Sequence, residues 1–281
     1  ASLIQGNIPM ETKWGELTLY RSQFIYWKMT LKSKGQLIIW PETGIPRYYD
    51  KLEESFLFMM ISYLDQRQKS LITGITVRDA DFKKNPEYRS FNSLIALGEG
   101  DVQFYHKFHL VPFGEYIPLS FRWIVDAFLP MSDFTSAHEL ENSPRIIYLS
   151  GLKIAPTICY ENTFGEEMLE GVRQATVLIN VTNLAWFGET LALEQHFQIS
   201  KMRVLETQKP MLTSTNTGVT GHISASGKII DRLENNVPGI LETMVQGHQG
   251  DTPYAKYGNF PIIALTLLAI ALPFWCRMRV K

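Results

Sequence analysis

Residues 153–161 read K-I-A-P-T-I-C-Y-E. The apolar run 154–158 is of strand type and delivers one cysteine, Cys159, to its C-terminal end. A polar stretch, Tyr160, Glu161, Asn162 and Thr163, follows at once. A short buried strand that ends in Cys and then turns is what a nucleophile elbow requires. The strand holds the backbone rigid and the turn lifts the sulfur clear of the sheet. The competing reading is a core cysteine, because free Cys is among the most buried residue types.

The rest of the chain alternates in the same way. Apolar runs at 2–5, 37–40, 70–77, 177–181, 211–214 and 219–223 read as strands, with a shorter one at 228–230. Two hairpins are expected. One pairs 92–97 with 102–107 around Gly98-Glu99-Gly100, and the other pairs 146–149 with 152–158 around Ser150-Gly151. Helical spacing predicts helices over 14–31, 51–66, 164–173 and 191–206. Residues 109–143 are loop-rich and heavy in Phe, Leu, Pro and Met, and the chain beyond 230 reads as extended. This order implies an α/β layered sandwich with helices outside two sheets. No repeat or low-complexity tract is present.

Three reactive side chains then fall at strand ends: Glu42 after 37–40, Lys107 at the end of 102–107, and Cys159. Neighbouring strand ends share one rim, so the three can meet in one pocket. A carboxylate can take the thiol proton, and an ammonium stabilises both a thiolate and a developing oxyanion. Each also has an ordinary reading, Glu42 as a turn residue and Lys107 as a solvated strand end. Trp186 and Phe187 follow another strand end and read either as a lid or as core aromatics.

Composition narrows the function classes. The 281 residues are 45% hydrophobic with net charge −1 and no basic block, which gives no support for nucleic-acid binding. Two cysteines, Cys159 and Cys276, do not make a disulfide framework, and the six histidines lack metal-ligand spacing. No metal or cofactor is expected. Residues 260–276 carry no charge over 17 positions, at the short edge of a spanning helix. Tyr254 and Tyr257 precede them, Phe274 and Trp275 close them, and Arg277, Arg279 and Lys281 follow. That pattern reads as a transmembrane helix with a cytoplasmic C-terminus, and alternatively as a buried helix. The expected plan is a catalytic domain over 1–250 outside the cytoplasm, a linker over 251–259, the span over 260–276 and a basic tail over 277–281. The start at Ala1 suggests a fragment or processed product.

The segments I-I-W-P-E-T, Y-H-K-F-H-L-V-P-F-G-E-Y-I-P, T-I-C-Y-E, N-L-A-W-F-G and S-T-N-T-G-V-T-G together resemble the nitrilase superfamily, and most closely its apolipoprotein N-acyltransferase branch. The resemblance covers nearly the whole chain. It implies a nitrilase-like α-β-β-α sandwich followed by one C-terminal transmembrane helix. It also implies a triad of Glu42 (base), Lys107 (oxyanion stabiliser) and Cys159 (nucleophile). Glu115 would match an essential pocket glutamate, and Tyr160 and Glu161 the residues after the family cysteine. Trp186 is a further pocket candidate. The implied activity moves an acyl chain from a phospholipid to the amine of a diacylglyceryl-cysteine lipoprotein, at the bacterial inner membrane and facing the periplasm. Two departures stand out: Leu184 replaces the usual Asp of N-D-A-W-F-G, and the membrane helices that precede the family's catalytic domain are not in this chain. The rival readings are a small-molecule amidase, which would share the triad, and a tethered, non-catalytic binding domain.

Overall fold

The computed structural model describes residues 1–9, 16–78, 89–118, 120 and 133–279, with side chains on the last helix described as far as Leu272. The helix start expected at Trp14, part of the loop-rich stretch and the end of the basic tail at Lys281 lie outside the described residues.

Two six-stranded sheets form the centre. The first contains β1 (Ser2–Gln5), β2 (Leu37–Ile39), β3 (Ser70–Arg78), β4 (Ser90–Leu97), β5 (Gln103–His106) and β12 (Gly239–Glu242), in the order β12-β1-β2-β3-β4-β5. The second contains β6 (Ile147–Leu149), β7 (Leu152–Ile158), β8 (Val177–Thr182), β9 (Met211–Thr215), β10 (Gly221–Ile223) and β11 (Ile229–Arg232), in the order β6-β7-β8-β9-β10-β11. Each sheet has three parallel strands at its heart, β1-β2-β3 and β7-β8-β9. Each adds two antiparallel strands beyond the third and one before the first. The two sheets therefore share one layout without a sequence repeat.

Both faces of the central strands are buried, so side chains alternate between two cores. Leu37 and Ile39 point between the sheets, where they meet Ile154, Ile158, Val177 and Ile179. Ile38 and Trp40 point the other way, towards α1 (Glu16–Lys32) and α2 (Glu54–Arg67). Trp40 stacks on Tyr26 at 5.3 Å and its indole N–H donates to Thr30 Oγ1 at 2.8 Å. On the far side, Ala155, Leu178 and Met211 pack with Met168, Val172, Phe197 and Val204 of α3 (Gly165–Val172) and α4 (Ala192–Thr207). The result is the expected α-β-β-α sandwich.

One stretch departs from expectation. The chain beyond 230 does not simply run extended to the C-terminal segment. It returns as β12 to pair antiparallel with β1, Leu241 opposite Leu3. This four-residue edge strand buries only Leu241, so its sequence carries too little alternation to be recognised. The segment expected as a linker holds α5 (Pro253–Tyr257), which is tied to the domain: Arg173 donates to the carbonyls of Ala255 and Lys256 at 2.8 and 3.3 Å.

α6 (Phe260–Arg279) covers the uncharged stretch. Among the described residues no helix is long and apolar enough to cross a membrane, so the expected spanning helix is not shown. What is visible is a helix that is apolar on every side. Phe260, Ile262, Ile263, Leu265, Leu267, Leu268, Ile270 and Leu272 are all more than half exposed.

Glu42 is placed by a backbone strap over β3. Gly74 N–H donates to the Pro41 carbonyl at 3.2 Å and its carbonyl accepts from Ile45 N–H at 2.9 Å. A Cβ at Gly74 would sit 2.3 Å from Thr43 N and 2.8 Å from Glu42 Cα. Gly74→Ala should therefore lift the strap off the sheet. Overpacking of this kind costs about 1–3 kcal/mol, to be read by denaturant unfolding. Wild-type stability in this variant would show that the strap is not held in contact.

Candidate functional site

Glu42, Lys107 and Cys159 leave strands β2, β5 and β7 at their C-terminal ends, and the turns carry them to one rim between the sheets. Lys107 is 1% exposed and Glu42 7%. Lys107 Nζ lies 2.9 and 2.8 Å from the two oxygens of Glu115 and 3.8 Å from Glu42 Oε1. Asn92 Nδ2 donates to Glu42 Oε1 at 2.8 Å and to Glu115 Oε1 at 2.7 Å. The remaining carboxylate oxygens also have donors. Asn183 N–H reaches Glu42 Oε2 at 3.0 Å, and Val111 N–H reaches Glu115 Oε2 at 2.8 Å. Burial works against the Lys107 charge, but Glu42 and Glu115 outweigh it and hold its pKa above the usual lysine range.

Cys159 has φ +53°, a left-handed conformation uncommon for a residue with a side chain. It starts the 3-10 turn Cys159–Thr163 directly after β7 and retains partial exposure. This is the local geometry that an elbow needs, while the side chain also packs against the core between the sheets. Protein crowded around the thiol, and then the charge of Glu42, push its pKa up to about 12, with Lys107 pulling the other way. This environment favours the thiol over the thiolate.

Glu161 explains how the elbow and the lysine are kept in register. It is 4% exposed and has no role as a surface charge. Its carboxylate accepts from Ile158 N–H at 2.7 Å, directly before Cys159, and from Phe108 N–H at 2.6 Å, directly after Lys107. Tyr105 OH donates to both oxygens at 3.0 Å. One carboxylate thus joins the two loops that carry Cys159 and Lys107. Its burial pushes its pKa up to about 7 against the pull of Lys107 and these donors.

A model of the carbon-nitrogen hydrolase family matches residues 2–253. The chain belongs to this family. A relative from Nitrosomonas europaea, named apolipoprotein N-acyltransferase, is 40% identical over 96% of this chain and 54% of its own length. One of the same name from Ralstonia nicotianae is 38% identical over 99% of this chain and 53% of its own. The chain thus spans about half the length of the curated relatives it matches. A carbon-nitrogen hydrolase from Helicobacter pylori shares the fold with TM-score 0.58 at 15% identity, covering 85% of this chain and 86% of that one. An amidase from Nesterenkonia does so with TM-score 0.54 at 18% identity, covering 85% and 87%.

Within this carbon-nitrogen hydrolase fold, the other expected residues divide. Glu115 joins Lys107 directly. Tyr160 is partly exposed and packs edge-on against Phe164 and His109 at 5.0 and 5.6 Å, outside the charged cluster. Trp186 and Phe187 are 77% and 53% exposed, so they are not core aromatics. Leu184, in place of a polar residue, is buried, and the hydrogen bonding of its loop persists through Leu184 N–H to the Thr217 carbonyl at 3.1 Å. Asn216 Nδ2 adds a bond to Asn183 Oδ1 at 3.1 Å. Asn92 was missed by sequence reasoning. Its only signal was an amide inside a strand that also carries Ser90 and Ser93, where burial demands a partner.

Glu161→Gln should place an NH2 against backbone and phenol donors. Leaving buried donors unpaired costs about 1–3 kcal/mol. The pH dependence should change as well. A carboxyl whose folded pKa is raised contributes stability that is complete below its unfolded value and lost as pH rises through about 7. Thermal unfolding from pH 4 to 8 should show that decline in the wild type and a shallower one in Glu161→Gln. Identical slopes would remove Glu161 as its source.

Proposed function

We propose that this chain is the catalytic portion of a membrane-bound acyltransferase. It would move a fatty acyl group from a phospholipid to the N-terminal amine of a diacylglyceryl-cysteine lipoprotein through a Cys159 thioester. The observation that carries the reading is a thiol flanked by Glu42 and Lys107 beside exposed apolar side chains. Phe113 is two residues from Glu115, and Trp186 and Phe187 follow Asn183, whose N–H holds Glu42; all three are more than half exposed. A soluble amidase has no need of such a rim, since exposed apolar patches mark sites of interaction. The N-acyltransferase names of the relatives support the same choice.

The chemistry follows from the cluster. Glu42 takes the thiol proton as Sγ attacks the ester carbonyl. Lys107 stabilises the resulting oxyanion, and the C–O bond breaks as the proton returns to the departing alcohol. The acceptor amine then attacks the thioester, gives up its proton with Glu42 as base, and releases the thiol. Glu115 and Glu161 support Lys107 and the elbow.

Residues 260–276 would anchor the domain in the inner membrane, with residues 1–250 on the periplasmic side and the basic tail inside. A helix apolar on all sides is unstable in water and suits lipid. Its root is fastened to the domain, where Glu166 Oε1 accepts from Asn259 N–H at 2.7 Å. A periplasm-dependent reporter fused after Lys281 should be silent, and strong activity would reverse the topology.

Incubation of the full-length protein with phospholipid alone should add a fatty-acyl mass at Cys159 that neutral hydroxylamine removes. A diacylglyceryl peptide with a free amine should discharge it. Cys159→Ala should abolish the adduct, and Lys107→Ala should slow its formation by about 10²-fold or more. A folded protein that never acquires the adduct, yet releases ammonia from simple amides, would replace this reading with the amidase.

A further inference from the structure

The strained backbone at Cys159 is held from its far side by α4. The Cys159 carbonyl accepts from two side chains, His196 Nε2 at 3.1 Å and Asn180 Nδ2 at 3.3 Å. A carbonyl oxygen can only accept, so His196 carries its proton on Nε2. Burial keeps the imidazole pKa below its usual range, and the ring is neutral. Asn180 is fully buried on β8 and is itself oriented by a second bond, to Thr157 Oγ1 at 2.9 Å. One helical turn beyond His196, Ser200 Oγ accepts from Asn162 Nδ2 at 2.7 Å. Residues i and i+4 share a helix face, so α4 grips both ends of the turn that carries the thiol.

We propose that His196, with Asn180, is a positioning residue for Cys159: by holding its carbonyl it fixes the peptide plane that follows the thiol. The peptide group is planar and trans, so the Tyr160 N–H must point opposite to that carbonyl. Pinning the oxygen thus sets the ψ of Cys159 and the direction of the neighbouring N–H, and with β7 holding the preceding peptide it fixes the Cα–Cβ bond from which the sulfur extends. A carbonyl polarised by two donors also makes the N–H on the same amide a stronger donor. Both bonds are made to the backbone oxygen and not to the thiol. The inference rests on Cys159 being the nucleophile, as in the proposed function, and not on which ester or amide it attacks.

The test compares His196→Leu, which has no donor, with His196→Gln, whose amide N–H can stand in for Nε2–H. Both are made in the full-length protein. Three quantities are read: alkylation of Cys159 by iodoacetamide, kcat and KM for acyl transfer, and the thermal unfolding midpoint. His196→Leu should lower the alkylation rate and kcat by about tenfold or more, the order expected when a reacting group is misplaced, with KM little changed. His196→Gln should recover most of both. Wild-type alkylation and kcat in His196→Leu would overturn the proposal. So would equal losses in the two variants that follow only their unfolding midpoints, since that is packing alone. Alkylation needs no lipid. If the wild type transfers no acyl group while the alkylation contrast persists, the acyltransferase reading fails and the positioning role stands.

Discussion

A buried lysine between two carboxylates governs this site. An ammonium removed from water is strongly unfavourable unless opposite charge and hydrogen bonds replace its hydration. Lys107 meets that condition only because Glu115 contacts it with both oxygens and Glu42 lies 3.8 Å away. The carboxylates in turn need donors, and they take them from Asn92, Val111 N–H and Asn183 N–H. Those donors come from β4, from the loop after Lys107 and from the loop after β8. One cation therefore fixes the relation between both sheets at their shared rim. The Cys159 thiol stands beside this cluster, where burial and the charge of Glu42 raise its pKa and Lys107 lowers it.

The sandwich makes that convergence possible. Two sheets of the same layout face each other, and their parallel strands end at the same rim, where loops are free to carry reactive groups. The interior between the sheets is mainly apolar around Ile39, Ile154 and Ile179, with Ser214 bonded to the Ile4 and Ile39 carbonyls, and charged groups gather where the strands stop. Glu161 crosses this boundary. It satisfies backbone donors beside Cys159 and beside Lys107 with one side chain. It lies two residues after Cys159 in the tight 3-10 turn, which points it back beneath the strand it has just left.

Much of the framework was legible because its signals are local. Each β-strand from β1 to β11 announces itself as an apolar run, and the two hairpins by their glycine turns. Glu42, Lys107 and Cys159 were recognisable as reactive groups at run ends, and the polar, acidic residues after Cys159 marked the turn. β12 was not legible, because an edge strand with one buried residue has no pattern of its own; pairing with β1 defines it. Asn92, Asn180 and His196 were not legible either. Asn92 and Asn180 carried only the signal of an amide inside a strand, which names no partner, and His196 reads as any helix-surface histidine. Their roles arise from partners 50, 21 and 37 positions away.

By itself, then, the amino-acid sequence determined the alternation of strands and helices, the burial of both sheet faces, the presence of a thiol at a strand end and the uncharged C-terminal helix. These depend on the order of apolar and polar side chains along a few consecutive residues, which the chain carries wherever it folds. Tertiary structure decided which carboxylate contacts Lys107, that Glu161 joins two loops, that Cys159 takes a left-handed backbone and that Trp186 stands exposed. Each of these depends on groups far apart in the chain being desolvated together, and only the packed sheets bring them within hydrogen-bonding distance.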